Sequence, residues 1–79
     1  MDYEKWYEDA VNYINSSIAI GQHFEVKSLF TGAKWDKLSA GDKKSFGRYF
    51  SGKVKDGMID NVIKEGEGKS HHNKYRRLK

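Results

Sequence analysis

Residues 39–57 read SAGDKKSFGRYFSGKVKDG and carry the strongest helical pattern in the chain. Phe46, Phe50 and Val54 recur every four residues, so an α-helix places all three on one face. Large apolar side chains on one face of a helix pack against the core of a small domain. The pattern therefore predicts a helix over residues 40–56 that buries this face.

Both ends of this helix carry recognisable signals. Ser39 stands just before the pattern and Asp42 follows it by three residues, as in the capping boxes that begin helices. Gly57 comes directly after the pattern, where a left-handed glycine commonly ends a helix. Gly47 interrupts the interior at a cost of about 1 kcal/mol relative to alanine. We expect Gly47 to let a neighbouring helix or the DNA backbone approach closely and favour the packing role, and the alternative is a tolerated glycine with no role.

The opposite face of this helix is basic. Lys44, Arg48, Ser51 and Lys55 follow one another at intervals of four, three and four residues, with no acidic and no large apolar side chain among them. Such side chains donate hydrogen bonds to phosphates and to base edges. The line predicts a contact with nucleic acid, and the alternative is an ordinary solvated helix face.

The N-terminal part predicts a first helix over residues 2–17, with Asp2 as its N-cap. Its apolar face is rich in aromatic residues and consists of Tyr3, Trp6, Tyr7, Ala10, Val11 and Ile14. A short strand follows at His23 and Phe24. Residues 25–30 then indicate a brief second helix, which we expect Thr31-Gly32 to end because glycine is a common helix C-cap.

The C-terminal part predicts a β-hairpin. Residues 58–64 are rich in β-branched side chains, residues 65–70 form a glycine-rich polar turn, and residues 72–79 run extended again around Tyr75 and Leu78.

Four cations of this hairpin are candidate contacts with DNA, namely Lys69, Lys74, Arg76 and Arg77. Neighbouring residues on a strand point in opposite directions, so Arg76 and Arg77 cannot both face one DNA surface. We therefore favour Lys69, Lys74 and Arg76.

The order helix, short strand, helix, helix and hairpin is that of a winged helix-turn-helix. The fold class is mainly α with a small β-hairpin (α+β), with three helices and a C-terminal wing in one domain over residues 1–79. In a helix-turn-helix the second helix of the pair enters the major groove. Here that helix is residues 40–56.

Several spaced residues resemble a known family. They are Phe24-x-Val26-Lys27-x-Leu29-Phe30, Trp35-x-x-Leu38, Gly41-Asp42-Lys43 and Phe46-Gly47-Arg48-x-Phe50, followed by Tyr75 near the end. The pattern resembles small, mostly uncharacterised winged-helix proteins from phages and mobile elements of Gram-positive bacteria. The resemblance covers roughly residues 22–78 and implies a winged helix with DNA-associated work. The aromatic first helix and the longer basic hairpin depart from that family's pattern.

The net charge of +4 is unevenly distributed along the chain. Residues 1–38 hold four basic and six acidic residues, which gives −2, whereas residues 39–79 hold eleven and five, which gives +6. A basic surface of this kind attracts polyanions, and the alternative is a solubilising tail.

The composition argues against other classes of function. There is no cysteine, and His23, His71 and His72 lack the spacing of a metal centre, so we expect no metal and no cofactor. Gly68-Lys69-Ser70 matches the end of a phosphate-binding loop, but residue 63 is isoleucine where that loop needs glycine. No apolar run reaches the roughly 20 residues of a membrane span, and the acidic N-terminus is unlike a signal peptide. We expect a cytoplasmic protein that is not an enzyme.

The sequence thus predicts a non-catalytic protein that binds double-stranded DNA through residues 40–56 and the basic wing. The alternative is a protein-interaction module whose basic face docks an acidic protein, because a fold does not determine function. Single-stranded DNA and RNA stay open as partners. A homodimer formed through the first helix also stays open.

Overall fold

The computed structural model describes residues 1–67 and 73–79, without the side chain of Glu67. The elements in chain order are helix α1 (Tyr3–Ser17), strand β1 (His23–Phe24), a 3₁₀ turn (Val26–Leu29), helices α2 (Gly32–Asp36) and α3 (Ala40–Lys55), and strands β2 (Val62–Glu67) and β3 (Asn73–Arg77). The three strands form an antiparallel sheet in the order β1-β3-β2. The predicted α+β class is confirmed at this level.

The two long helices begin where the sequence predicts. The Asp2 carboxylate accepts a hydrogen bond from the Lys5 backbone N–H at 3.1 Å, and the Ser39 hydroxyl accepts one from the Asp42 N–H at 3.1 Å. These bonds satisfy backbone donors that a helix N-terminus otherwise leaves free. Gly57 ends α3 with φ of +75°, the left-handed conformation expected there.

The prediction that Thr31-Gly32 ends the second helix is wrong. The second helical segment is the short 3₁₀ turn, and Thr31 is instead the N-cap of α2, accepting a hydrogen bond from the Lys34 N–H at 3.2 Å. Thr31 and Gly32 are compatible with either end of a helix. Here they begin a helix, because the threonine hydroxyl accepts a hydrogen bond from a backbone N–H in the first turn of α2.

The expected close packing at Gly47 is also wrong, since a methyl group added there meets no atom within 4 Å among the described residues.

The hairpin is present, but its first strand lies further along the chain than predicted. Residues 58–61 form turns, and β2 continues through Glu65, Gly66 and Glu67, which the sequence assigned to the turn. The pairing shifts between Lys64 and Gly66, so Glu65 has no partner of its own on β3. Gly66 has φ of +117°, which suits the glycine of such a bulge.

The core lies between α1, α3 and the inner face of the sheet. Tyr75 is fully buried at its centre, with its ring 5.0 Å from that of Phe50 and 5.8 Å from that of Phe24. A second group of rings surrounds the fully buried Phe46 and joins α1 to α3. Its members are Tyr3, Trp6, Phe30 and Tyr49.

Candidate nucleic-acid interface

The outward face of α3 is defined here by Lys44, Arg48 and Lys55. Phe46 and Phe50 are fully buried on the other side of the helix, and these three cations are exposed. Within the described part of the chain, none of the three joins an ion pair, whereas Lys5, Lys27 and Lys34 each lie within 4 Å of a carboxylate. The charge of this face is therefore available to an anionic partner.

Small residues fill the space between these cations. At about 100° per residue, Gly41, Ser45 and Gly52 fall on the same side of the helix as Arg48. The one acidic residue within α3 is Asp42, which falls on the flank near Tyr49. The helix backbone can thus come close to a partner between the basic side chains.

Ser51, the remaining member of the predicted line, lies at the edge of this face. It is half-buried beside the buried phenol of Tyr75. Burial raises the pKa of Tyr75, and the polar side chains of Ser51 and Asn73 act in the opposite direction. We assign Ser51 to the contact between α3 and the hairpin and leave it out of the candidate interface.

The predicted cations of the hairpin differ in their availability. Lys69 lies outside the described residues, as do His71 and His72. Lys74 is exposed and joins no ion pair with any described residue. Arg76 is held by Glu65, with 2.6 Å between the guanidinium Nε and a carboxylate oxygen.

Glu65 also contacts His23 on β1, the strand on the other side of β3, with 3.1 Å between His23 Nε2 and the second carboxylate oxygen. The hydrogen bond to His23 and the charge of Arg76 together hold the pKa of Glu65 below its usual value. This carboxylate compensates the charge of Arg76, so Arg76 contributes little positive potential to a nearby anion.

Arg77 points the other way and holds the end of α1. Its Nη1 donates hydrogen bonds to the carbonyls of Ile18 at 2.6 Å, Ile14 at 3.2 Å and Asn15 at 3.4 Å. Its Nε also donates to the carbonyl of Lys79 at 3.1 Å. The last carbonyls of a helix lack intrahelical donors, and α1 has no basic residue in its own last turn. Arg77 supplies that cation, and we exclude it from the candidate interface.

Sequence reasoning did not find this role for Arg77. The one available signal is the lack of a cation between Ile14 and Ser17, in the last turn of α1. This signal does not identify the distant residue that donates to the carbonyls there.

Two further lysines are engaged with aromatic rings. Lys34 Nζ lies 4.6 Å from the centre of the Trp6 ring and 3.3 Å from the Asp9 carboxylate. Lys53 Nζ lies 5.3 Å from the ring centre of Tyr49. These contacts stabilise the group of aromatic rings between α1 and α3, so these rings contribute to the packing of the two helices.

The described residues contain no group of three or more His, Asp or Glu side chains that could hold a metal ion. Within the same residues, no helix is long and apolar enough to cross a membrane.

The fold and the outward face of α3 define a small α+β domain with one basic helix face. Residues 9–77 match the family described as "Domain of unknown function (DUF1413)", and the chain belongs to this family. The expectation of a small, uncharacterised domain family is thereby confirmed. No curated protein and no solved structure matches the chain.

Proposed function

We propose that this domain is a winged helix that binds double-stranded DNA and catalyses no reaction. The order of helices and strands and the sheet order β1-β3-β2 support the winged-helix assignment. In this proposal α2 and α3 form the helix pair, α3 enters the major groove, and β2 and β3 form the wing. We also propose that the domain is related to winged-helix proteins of phages and mobile elements of Gram-positive bacteria. A cytoplasmic location is part of the same proposal.

The observation that carries the proposal is the set of unpaired cations on the outward face of α3. A protein that neutralises phosphates with lysine and arginine releases counterions, and this release supplies much of its affinity for DNA. Lys44, Arg48 and Lys55 stand on one face without carboxylates to compensate them. Lys74 on the hairpin adds one more unpaired cation among the described residues.

Duplex DNA fits this face better than the other nucleic acids do. The major groove of B-form DNA admits an α-helix, whereas that of A-form RNA is too deep and narrow for side chains to read. Proteins that bind single strands stack bases on exposed aromatic rings. Here Trp6 and Tyr49 pack against other rings and are half-buried, and the exposed Tyr13 lies on α1 and not on this face.

The test is a fluorescence-anisotropy titration of random-sequence duplex DNA, single-stranded DNA and double-stranded RNA at several salt concentrations. Wild type binds the duplex DNA most tightly, and its affinity falls steeply with salt. The triple variant Lys44→Ala, Arg48→Ala, Lys55→Ala loses most of that affinity. The salt slope falls in magnitude by about one for each of these cations that contacts a phosphate.

A second triple variant, Lys5→Ala, Lys27→Ala, Lys79→Ala, is the matched control because it removes the same charge from other surfaces. We expect it to bind duplex DNA nearly as wild type does. If the control variant loses as much affinity as the α3 variant, net charge and not this face governs binding. If wild type binds no nucleic acid at low salt, the proposed function is wrong.

A second candidate is docking of an acidic protein on the same face. The observation that favours it is again the unpaired Arg48, whose planar guanidinium matches a carboxylate as well as a phosphate. Failure to bind any nucleic acid, together with binding to an acidic peptide that the α3 variant abolishes, would establish this candidate. Pairing of two copies through α1 stays a prediction in either case.

A further inference from the structure

The outward face of α3 holds a single side chain that can recognise one base by two simultaneous hydrogen bonds from a planar group. Adenine is read in this way by asparagine or glutamine, and cytosine is contacted by a carboxylate. Neither type occurs among the three cations of this face or among the small residues between them, which are Gly41, Ser45 and Gly52. The arginine fork matches the O6 and N7 acceptors of guanine, whereas a lysine acts as a point charge.

The position of Arg48 suits a contact with a base edge. Helical rise places it about 6 Å along the axis from Lys44 and about 10 Å from Lys55, so it lies between the two lysines. Ser45 and Gly52, the neighbours on its own side of the helix, are small and let the helix approach the groove. The guanidinium of Arg48 is exposed and joins no ion pair with a described residue.

Among the described residues of the hairpin, the other arginines are occupied. Glu65 holds Arg76, and the carbonyls at the end of α1 hold Arg77. Lys74 is exposed but offers only a point charge.

We propose that Arg48 reads a guanine in the major groove of duplex DNA by a bidentate contact to O6 and N7, while Lys44 and Lys55 contact phosphates. This inference rests on the proposed function and makes it more specific. It gives a protein whose affinity comes mainly from the DNA backbone and whose discrimination between sequences comes mainly from one residue.

The test compares a guanine-rich mixed-sequence duplex with the same duplex in which 7-deazaguanine replaces every guanine. The replacement removes the N7 acceptor and leaves Watson–Crick pairing intact, so backbone charge and strand sequence are matched. Wild type binds the normal duplex about tenfold more tightly than the substituted one, the size expected when a good bidentate contact is lost. The variant Arg48→Ala, which has no donor to offer the base, loses this preference and binds the two duplexes with equal affinity.

The variant Lys44→Ala is the control, because loss of a phosphate contact weakens binding to both duplexes by the same factor. Circular dichroism and thermal melting establish that both variants are folded. Equal binding of wild type to the two duplexes overturns the guanine contact and leaves the proposed function intact. A preference that persists in Arg48→Ala overturns the assignment to this residue. Absence of binding to either duplex refutes the proposed function and this inference with it.

Discussion

At the residue scale, Tyr75 keeps a fully buried phenol at the centre of the core. Burial disfavours the phenolate and raises the pKa of this group above 10.0. As pH rises past the unfolded value of about 10, the unfolded chain loses this proton while the native state keeps it. The free energy of unfolding therefore falls between that pH and the higher pKa of the folded state.

We expect Tyr75→Phe to lose less stability than wild type as the pH rises past about 10, because it removes the ionisable group. Urea denaturation across this range measures the difference. Tyr13→Phe is the control, since Tyr13 is 39% exposed. The decline in the free energy of unfolding that remains in Tyr75→Phe includes a contribution from Tyr7, because burial raises the pKa of Tyr7 as well. An unchanged pH dependence in Tyr75→Phe would show that this phenol is not responsible.

At the element scale, α3 carries two interior glycines that differ in their position around the helix. Gly52 lies on the outward face, Gly47 lies on the flank, and a methyl group added at either meets no atom within 4 Å among the described residues. Alanine in place of a helix-interior glycine stabilises by about 1 kcal/mol. We therefore expect Gly47→Ala and Gly52→Ala each to raise the urea midpoint.

The two variants separate stability from binding. Gly52→Ala places a methyl group between Arg48 and Lys55 and weakens duplex binding in the anisotropy titration, whereas Gly47→Ala leaves binding unchanged. Equal affinities for the two variants would mean that the backbone near Gly52 does not approach DNA.

The end of α1 depends on Arg77 because the helix has no cation of its own there. Arg77→Ala leaves the part-buried carbonyls of Ile14 and Ile18 without this donor, at a cost of about 2 kcal/mol in the free energy of unfolding. Hydrogen exchange should show faster opening of the last turn of α1 in this variant.

Duplex binding by Arg77→Ala, measured at a temperature where the variant is folded, stays at the wild-type level. Weaker binding by the folded variant would mean that Arg77 belongs to the interface with DNA.

At the scale of the whole molecule, the two halves of the chain differ in how many of their basic side chains are paired with carboxylates. In the N-terminal half, Lys5, Lys27 and Lys34 lie beside carboxylates. In the C-terminal half, α3 presents unpaired cations, and Glu65 on β2 pairs with Arg76 on the central strand β3. A net charge of +6 over residues 39–79 therefore overstates the charge available to a polyanion.

The sequence alone was sufficient for α1 and α3, for their N-caps at Asp2 and Ser39, and for the glycine that ends α3. These features depend on spacing within a few residues, which is visible in the chain itself. The boundary at Thr31-Gly32 was predicted wrongly because the same residue types suit both ends of a helix.

The tertiary structure was needed to separate the cations that are available from those that are occupied. Arg76 and Arg77 are adjacent and chemically identical, yet one is paired with Glu65 across the sheet and the other with carbonyls of α1, up to 63 residues away. The alternation of a strand predicts that they diverge, but it does not identify their partners. Glu65 lies on the other strand of the same hairpin and the carbonyls lie at the end of α1, and only folding brings each of them within hydrogen-bonding distance of its arginine.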